Sequence, residues 1–252
     1  MYSPKRIMKG LAWLIAGTPP ERRRVLQECA RIASGAFGGF YINEDYKRWI
    51  LDRDFMAVYR RFSPGNPYSA ERKYFLRELA RLVKNVPGSI AECGSYEGAS
   101  AYFIANELPD TPIHLFDSFE GLPAPSNEDR SADSMWKKGD LTAREETIRE
   151  NLRRFSNIVI HKGWIPDTFT AIADQRFRLV HIDVDLYKPT FDSLAFLYPR
   201  MNPGGIIVMD DYGFTNCEGA FAAAQEYMSD KPEPIVQCPT GQGLIFKSYA
   251  SR

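Results

Sequence analysis

The 252-residue sequence is without several features that would each fix a class at once. No apolar run reaches the ~20 residues that a membrane-spanning helix needs. Neither sign of charge is in excess, since 32 basic residues face 32 acidic ones, so no electrostatic footprint argues for nucleic acid. The four cysteines (Cys29, Cys93, Cys217, Cys238) make no C-x-x-C pair and read as free thiols in a reducing, cytoplasmic setting. Internal repeats are absent. So is G-x-G-x-x-G, the fingerprint expected of a nicotinamide oxidoreductase. With 44% hydrophobic and 25% charged residues, the composition is that of a soluble globular chain. Its length suits one large domain, or a domain with an appendage.

The first third reads as helical. "PKRIMKGLAWLIAG" is an amphipathic stretch with a basic start, but Gly17 is followed by Thr18-Pro19-Pro20 and not by a small-residue cleavage site. Packing on the body or on a partner subunit is expected of it, ahead of attachment to a membrane surface. "PERRRVLQECARIASGAF" has a proline start and helical apolar spacing. "NEDYKRWILDRDFMAVYRRF" continues that spacing as one helix. After the turn-rich "SPGNPYS", Ser69 is placed to cap "AERKYFLRELARLVKNV". Trp13 and Trp49 suit a subunit interface. The expected division is a helical extension over 1–68, serving as interface or lid, and a second domain over 69–252.

From Pro87 onward, short apolar runs alternate with helical ones. "SIAECGS", "PIHLFDSF", "NIVIHKGW", "FRLVHIDVD" and "GGIIVMDDY" predict strands separated by helices, hence a parallel α/β sheet. "PIVQC" and "GLIFKS" predict a closing hairpin that turns the last strand antiparallel. The stretch 119–141 is long and polar for a connection, which marks it as functional or mobile. Its Trp136 reads as core or interface before substrate platform. Two apolar runs end in paired acids, Asp183 with Asp185 and Asp210 with Asp211. Ionised carboxylates are costly in a core, and open α/β sheets bind ligands beyond the carboxyl ends of their strands. The acids are therefore expected at a site. Gly94 and Gly98 let the chain turn sharply where the first strand meets a helix, and Asp117 ends the second strand, where an acid can accept from ribose hydroxyls.

Together "ECGSYEGAS", "DSFEGLP", "KGWIPDTF", "HIDVDLYKPTFDSLAFLYPRMNPGGIIVMDDYG" and "PTGQG" resemble the macrocin O-methyltransferase family, over roughly residues 69 to 247. These are class I S-adenosylmethionine-dependent enzymes that methylate sugar hydroxyls on antibiotics. The resemblance implies a Rossmann-like methyltransferase fold with seven strands, a magnesium requirement, and dimers or larger homo-oligomers. Position by position, it places Glu92, Gly94, Ser95, Tyr96, Gly98 and Ser100 around the methionine end of the cofactor. Asp117 would hold the ribose, with Ser118, Gly163 and Trp164 near the adenine or the rim. Asp183, Asp210 and Asp211 match the metal acids, with Asp183 also beside the cofactor and the expected base. The sequence departs from the family at Val184, where a glycine is common, and at Lys188-Pro189-Thr190, where "EST" is common. Both departures bear on the acceptor and leave the metal acids intact.

The chemistry is coherent. A sugar hydroxyl is a weak acid, and a divalent cation held by carboxylates lowers its pKa and stabilises the alkoxide. The motifs carry no set of Cys and His ligands, which speaks against zinc. Tyr187 and Gln242 are candidates for shaping the acceptor site. Asp185 could simply anchor "LYKPT", and His114, His161 and His181 read as packing histidines. The competing functions are a catechol-type O-methyltransferase on a small phenol and a non-catalytic cofactor-binding scaffold. The expected partner is a glycosylated small molecule, with no nucleic acid.

Overall fold

Five runs rich in β-branched and aliphatic residues pair as parallel strands because each is connected to the next by a crossover containing a helix or helical turns. The computed structural model describes residues 4–36, 47–65, 69–130 and 136–248. Cα packing divides the chain into two units, Met1–Met56 and Ala57–Arg252, a division that falls ahead of the boundary expected at 68. No helix among the described residues is long and apolar enough to cross a membrane.

In the first unit, α1 (Pro4–Ala16) and α2 (Pro19–Ala36) are joined through Gly17 and Thr18. The α2 start carries one half of a capping box: the Glu21 carboxylate accepts from the N–H of Thr18, and also from its hydroxyl, each at 2.8 Å. Trp13 is half-buried, with the Lys9 ammonium 4.6 Å from its ring centroid. The single helix expected across "NEDYKRWILDRDFMAVYRRF" is interrupted. A 3₁₀ turn over Arg48–Leu51 gives way at Asp52 to α3 (Arg53–Phe62). The physical reason is a cap, because Asp52 Oδ1 accepts from the Phe55 N–H at 2.9 Å. Residues 43–46 of that run lie outside the described residues.

In the second unit, α4 (Ala70–Leu82) begins where expected, but Ser69 makes no side-chain cap. Its backbone is left-handed, at φ 64°, and its hydroxyl meets the Tyr59 phenol at 3.2 Å. The sheet follows: β1 (Ser89–Cys93), β2 (Ile113–Asp117), β3 (Ile158–Lys162), β4 (Phe177–Ile182), β5 (Met201–Met209), β6 (Val236–Gln237) and β7 (Gly243–Phe246). The order is β3-β2-β1-β4-β5-β7-β6. The first five strands pair in parallel, and β7 runs antiparallel to both β5 and β6. The connecting helices are α5 (Ala99–Glu107), α6 (Glu145–Leu152), α7 (Tyr187–Leu197) and α8 (Glu218–Met228). This is the α/β arrangement read from the sequence, closing hairpin included. Winding reverses between β1 and β4, and the reversal opens a crevice at their carboxyl ends.

Both faces of the central strands are dry. Every residue of β1 is buried, as are Leu179, Val180 and Ile182 of β4 and Ile206 to Met209 of β5. The one departure in β1 is Glu92, a fully buried carboxylate. A second buried acid closes the sheet's far side. Glu233 accepts from the Tyr198 hydroxyl, from Ser248 N (3.1 Å) and Oγ (2.7 Å), and lies 3.2 Å from Lys247 Nζ. Burial pushes its pKa up, but these donors outweigh it and hold the carboxyl down at about 2, against an ordinary value of 4.5.

A depressed carboxyl contributes stability that is present above its unfolded pKa and lost as pH falls through its folded one. Glu233→Gln is therefore expected to cost roughly 1–3 kcal/mol at neutral pH. It should also flatten the fall in stability between pH 4.5 and about 2. Chemical denaturation at a series of pH values checks this, and an unchanged acid limb would contradict it.

Candidate active site

The crevice holds a cavity of about 570 Å³. One wall is the turn after β1. Gly94 takes φ 79°, and a Cβ there would come within 1.8 Å of the Asp183 carbonyl oxygen, so the β1 and β4 chains can approach only at glycine. Tyr96 and Gly98 are also left-handed, and α5 starts directly after Gly98. Asp117 organises this wall. Its Oδ2 accepts from the N–H groups of Ser95 (2.9 Å) and Tyr96 (2.8 Å), and its Oδ1 from Phe119 N–H (2.7 Å). Ser118 Oγ accepts from the Glu120 N–H and donates to the Gly121 carbonyl, which shapes the chain leaving β2.

Ten of the expected residues line the cavity: Gly94, Ser95, Tyr96 and Ser100 from the turn and α5, Asp117 and Ser118 after β2, Gly163 and Trp164 after β3, and Asp183 and Asp211 after β4 and β5. The Ser95 hydroxyl is buried there without a hydrogen-bond partner among the described residues, a donor and acceptor left for a polar ligand. Gly98 stands behind the lining and gives space to Ile148 and Leu152 of α6.

Three expected residues are elsewhere. Glu92 turns into the interior, where its Oε1 meets His181 Nδ1 at 2.8 Å and its Oε2 finds no partner among the described residues. Tyr187 directs its hydroxyl to Glu226 Oε2 at 2.6 Å, not into the cavity. Gln242 is fully buried and donates to Asp210 Oδ1 at 2.7 Å, so it holds an acid and does not line the cavity.

Asp210 itself lies behind the lining, fully buried. Besides Gln242, its Oδ1 faces His181 Nε2 at 3.2 Å. Its Oδ2 pairs with the Arg72 guanidinium and lies 3.7 Å from Lys73 Nζ. The same ammonium is 3.2 Å from Asp183 Oδ2. Burial alone would raise the Asp210 pKa, but Lys73, His181 and Arg72 overcome it and hold the carboxyl well below the usual range. Burial likewise pulls His181 down, yet the carboxylates of Asp210 and Glu92 on its two ring nitrogens push it up to about 9. An imidazole facing an acid on each side donates from both nitrogens and carries a charge. Lys73, against the pull of burial, is raised by Asp210 and Asp183.

The remaining acids lack such compensation. Asp185, left-handed at φ 59°, lines the cavity, and its N–H donates to Asp211 Oδ2 at 3.0 Å. Its Oδ1 is 3.8 Å from the buried Cys217 thiol. Burial, then Asp183 and Asp210, raise Asp185 to about 7, and burial with Asp185 and Asp183 raises Asp211 well above its usual value. His181, Asp183 and Asp210 converge as one possible ligand group, and Asp185, Asp211 and Cys217 as another. The expected metal set is thus split across two adjoining groups. In kind it still suits a hard cation: carboxylate oxygens from two neighbouring strand ends, with Asp183 and Asp211 on the cavity.

Sequence reading missed Arg72, Lys73 and Cys217 as site residues, whereas Asp185 lines the cavity as expected of a strand-end acid. The first two lie on a helix with ordinary amphipathic spacing, and nothing local announces a partner 138 residues away.

Residues 71–237 match the macrocin-O-methyltransferase (TylF) family. A relative from Streptomyces olivaceus, 8-demethyl-8-(2,3-dimethoxy-alpha-L-rhamnosyl)-tetracenomycin-C 4'-O-methyltransferase, is 32% identical over 152 residues, which are 55% of this chain and 58% of that protein. The chain spans about 60% of the length of such curated relatives. The solved structure of the O-methyltransferase NovP superposes with a TM-score of 0.63 at 24% identity, covering 71% of this chain and 81% of that one. The O-methyltransferase TomG from Streptomyces achromogenes, solved in complex with S-adenosylmethionine, gives a TM-score of 0.53 at 17% identity, over 88% of this chain and 99% of that one. These likenesses carry the Rossmann-like methyltransferase fold. With two thirds of its length matched by the family, the chain belongs to the macrocin-O-methyltransferase (TylF) family.

Proposed function

We propose that the chain is an S-adenosylmethionine- and Mg2+-dependent O-methyltransferase acting on a hydroxyl of a sugar or glycosylated small molecule. The observation that carries this reading is the juxtaposition in one cavity of the Gly94–Ser100 turn with Asp117 on one side and the strand-end acids on the other. The rhamnosyl acceptor in the name of the Streptomyces olivaceus relative supports a sugar. A catechol-type acceptor would use the same acids, and the relative's name is what favours the sugar.

The cofactor supplies an electrophilic methyl group on a sulfonium, and the protein's work is alignment and charge. Ser95, Ser100 and the Gly94 turn would take its amino-acid end, Asp117 its ribose, and Gly163 with Trp164 the adenine side. Asp183, Asp210 and Asp211 would hold Mg2+, which lowers the pKa of a coordinated hydroxyl. Asp183, facing the cavity, would accept the acceptor's proton. Asp185, which also lines the cavity, is a second candidate for that role. Trp136 and Leu141, from the segment after β2, would exclude water from the sulfonium. We assign the helices of residues 1–68 to a homo-oligomer interface or cover, and the methyltransferase work to 69–252.

Two outcomes follow. Asp117→Ala should weaken S-adenosylhomocysteine binding by roughly tenfold or more, since a hydrogen bond to a charged acceptor is worth about 1.5–3 kcal/mol. Calorimetry giving wild-type affinity would remove Asp117 from the site. Chelation should abolish turnover and Mg2+ restore it, with S-adenosylhomocysteine affinity largely kept; full turnover after exhaustive chelation would overturn the metal assignment.

A further inference from the structure

We propose that Arg72 and Lys73 are resident counter-cations of the acid cluster, and that a divalent cation engages Asp210 only as these two side chains withdraw. This inference rests on the metal-dependent reading above and concerns what the chain itself does at that locus.

A carboxylate offers about four lone-pair positions. On Asp210 three are met by Gln242 Nε2 at 2.7 Å, His181 Nε2 at 3.2 Å and the Arg72 guanidinium, and the Lys73 ammonium stands 3.7 Å away as an ion pair. A cation approaching Asp210 from the cavity therefore meets these two positive side chains first. Lys73 Nζ also lies 3.2 Å from Asp183 Oδ2, so one ammonium stands between the two acids that a metal would bridge. Magnesium requires oxygens at about 2.0–2.1 Å, and a cation already paired with those oxygens repels it.

The two groups of donors differ in how far they can move. Gln242 and His181 are fully buried, and His181 is fixed from behind by Glu92. Arg72 and Lys73 border the cavity, on consecutive residues in the first turn of α4, with flexible stems. Arg72 also lies against the Phe214 ring, 5.0 Å from its centroid, a ring that itself lines the cavity. These are the donors that can leave. In the metal-free protein they neutralise acids that would otherwise repel one another across β4 and β5. In the loaded protein their release would free two cations at the cavity edge.

Mutual exclusion is a negative coupling, and its sign is measurable without turnover. Mg2+ and Mn2+ are titrated by calorimetry into the wild type, Lys73→Met and Arg72→Met, with S-adenosylhomocysteine affinity as the check on folding. Both variants should bind metal more tightly, within the roughly 5- to 150-fold range usual for coupled sites. Both should melt lower than wild type without metal and recover with it, while Lys73→Arg keeps wild-type affinity. If the methionine variant at 73 does not fold, Lys73→Gln takes its place. Variants with wild-type or weaker affinity would overturn the inference and leave the metal assignment standing. Absence of binding in all the proteins at millimolar metal would remove the metal assignment, and this inference with it.

Discussion

A carboxylate with no exposed surface at the carboxyl end of β5 is the constraint on which the site depends. Breaking one partner from a buried ion pair typically costs about 3–5 kcal/mol, so Asp210 as a buried anion depends on its donors or on a cation that replaces them. Those donors come from distant parts of the chain: α4 before the sheet, His181 at the end of β4, and Gln242 at the start of β7. One buried charge therefore ties the helix that precedes the sheet to the hairpin that ends it. His181 extends the chain of contacts to Glu92 in β1, so the central strands share one charged network under the cavity floor.

The cavity divides into chemically distinct halves because the sheet reverses between β1 and β4. On the β1–β2 side, glycine turns and Asp117 present backbone N–H groups and a carboxylate. On the β4–β5 side, acids outnumber the cations beside them. Gly94 makes the halves adjoin, since any side chain there would collide with the Asp183 carbonyl. The geometry brings a site for a nucleoside-bearing cofactor within one cleft of a site for a hard cation. Alignment of a methyl donor with an activated hydroxyl needs that proximity.

Much of the fold was legible because its signals are local. Period-two and fully apolar runs, glycine stops and the short "PTGQ" connection between "PIVQC" and "GLIFKS" predicted all seven strands and the antiparallel last one. The acids were legible as site residues because an ionised group at the end of an apolar run has few other places to be. What was not legible depended on long-range pairing. Arg72 and Lys73 look like any solvated helix positions until Asp210 is brought beneath them. Glu92 sits in a cofactor motif, yet its side chain is fully buried against His181 beneath the cavity floor, a cross-strand pairing that the motif does not announce. Tyr187 follows the D-x-D motif, but α7 turns its hydroxyl to Glu226. The helix break at Asp52 was hidden by continuous apolar spacing on both sides of a capping residue.

The central claim is transfer of a methyl group to a glycosyl hydroxyl. Its most direct test is incubation with isotopically labelled S-adenosylmethionine and a matched panel of free sugars, glycosides and diphenols, with Mg2+ present, followed by mass spectrometry of the acceptors. The account predicts a methyl ether on a sugar hydroxyl of a glycoside, with the diphenols unmodified. Methylated diphenol with every sugar and glycoside untouched would contradict it.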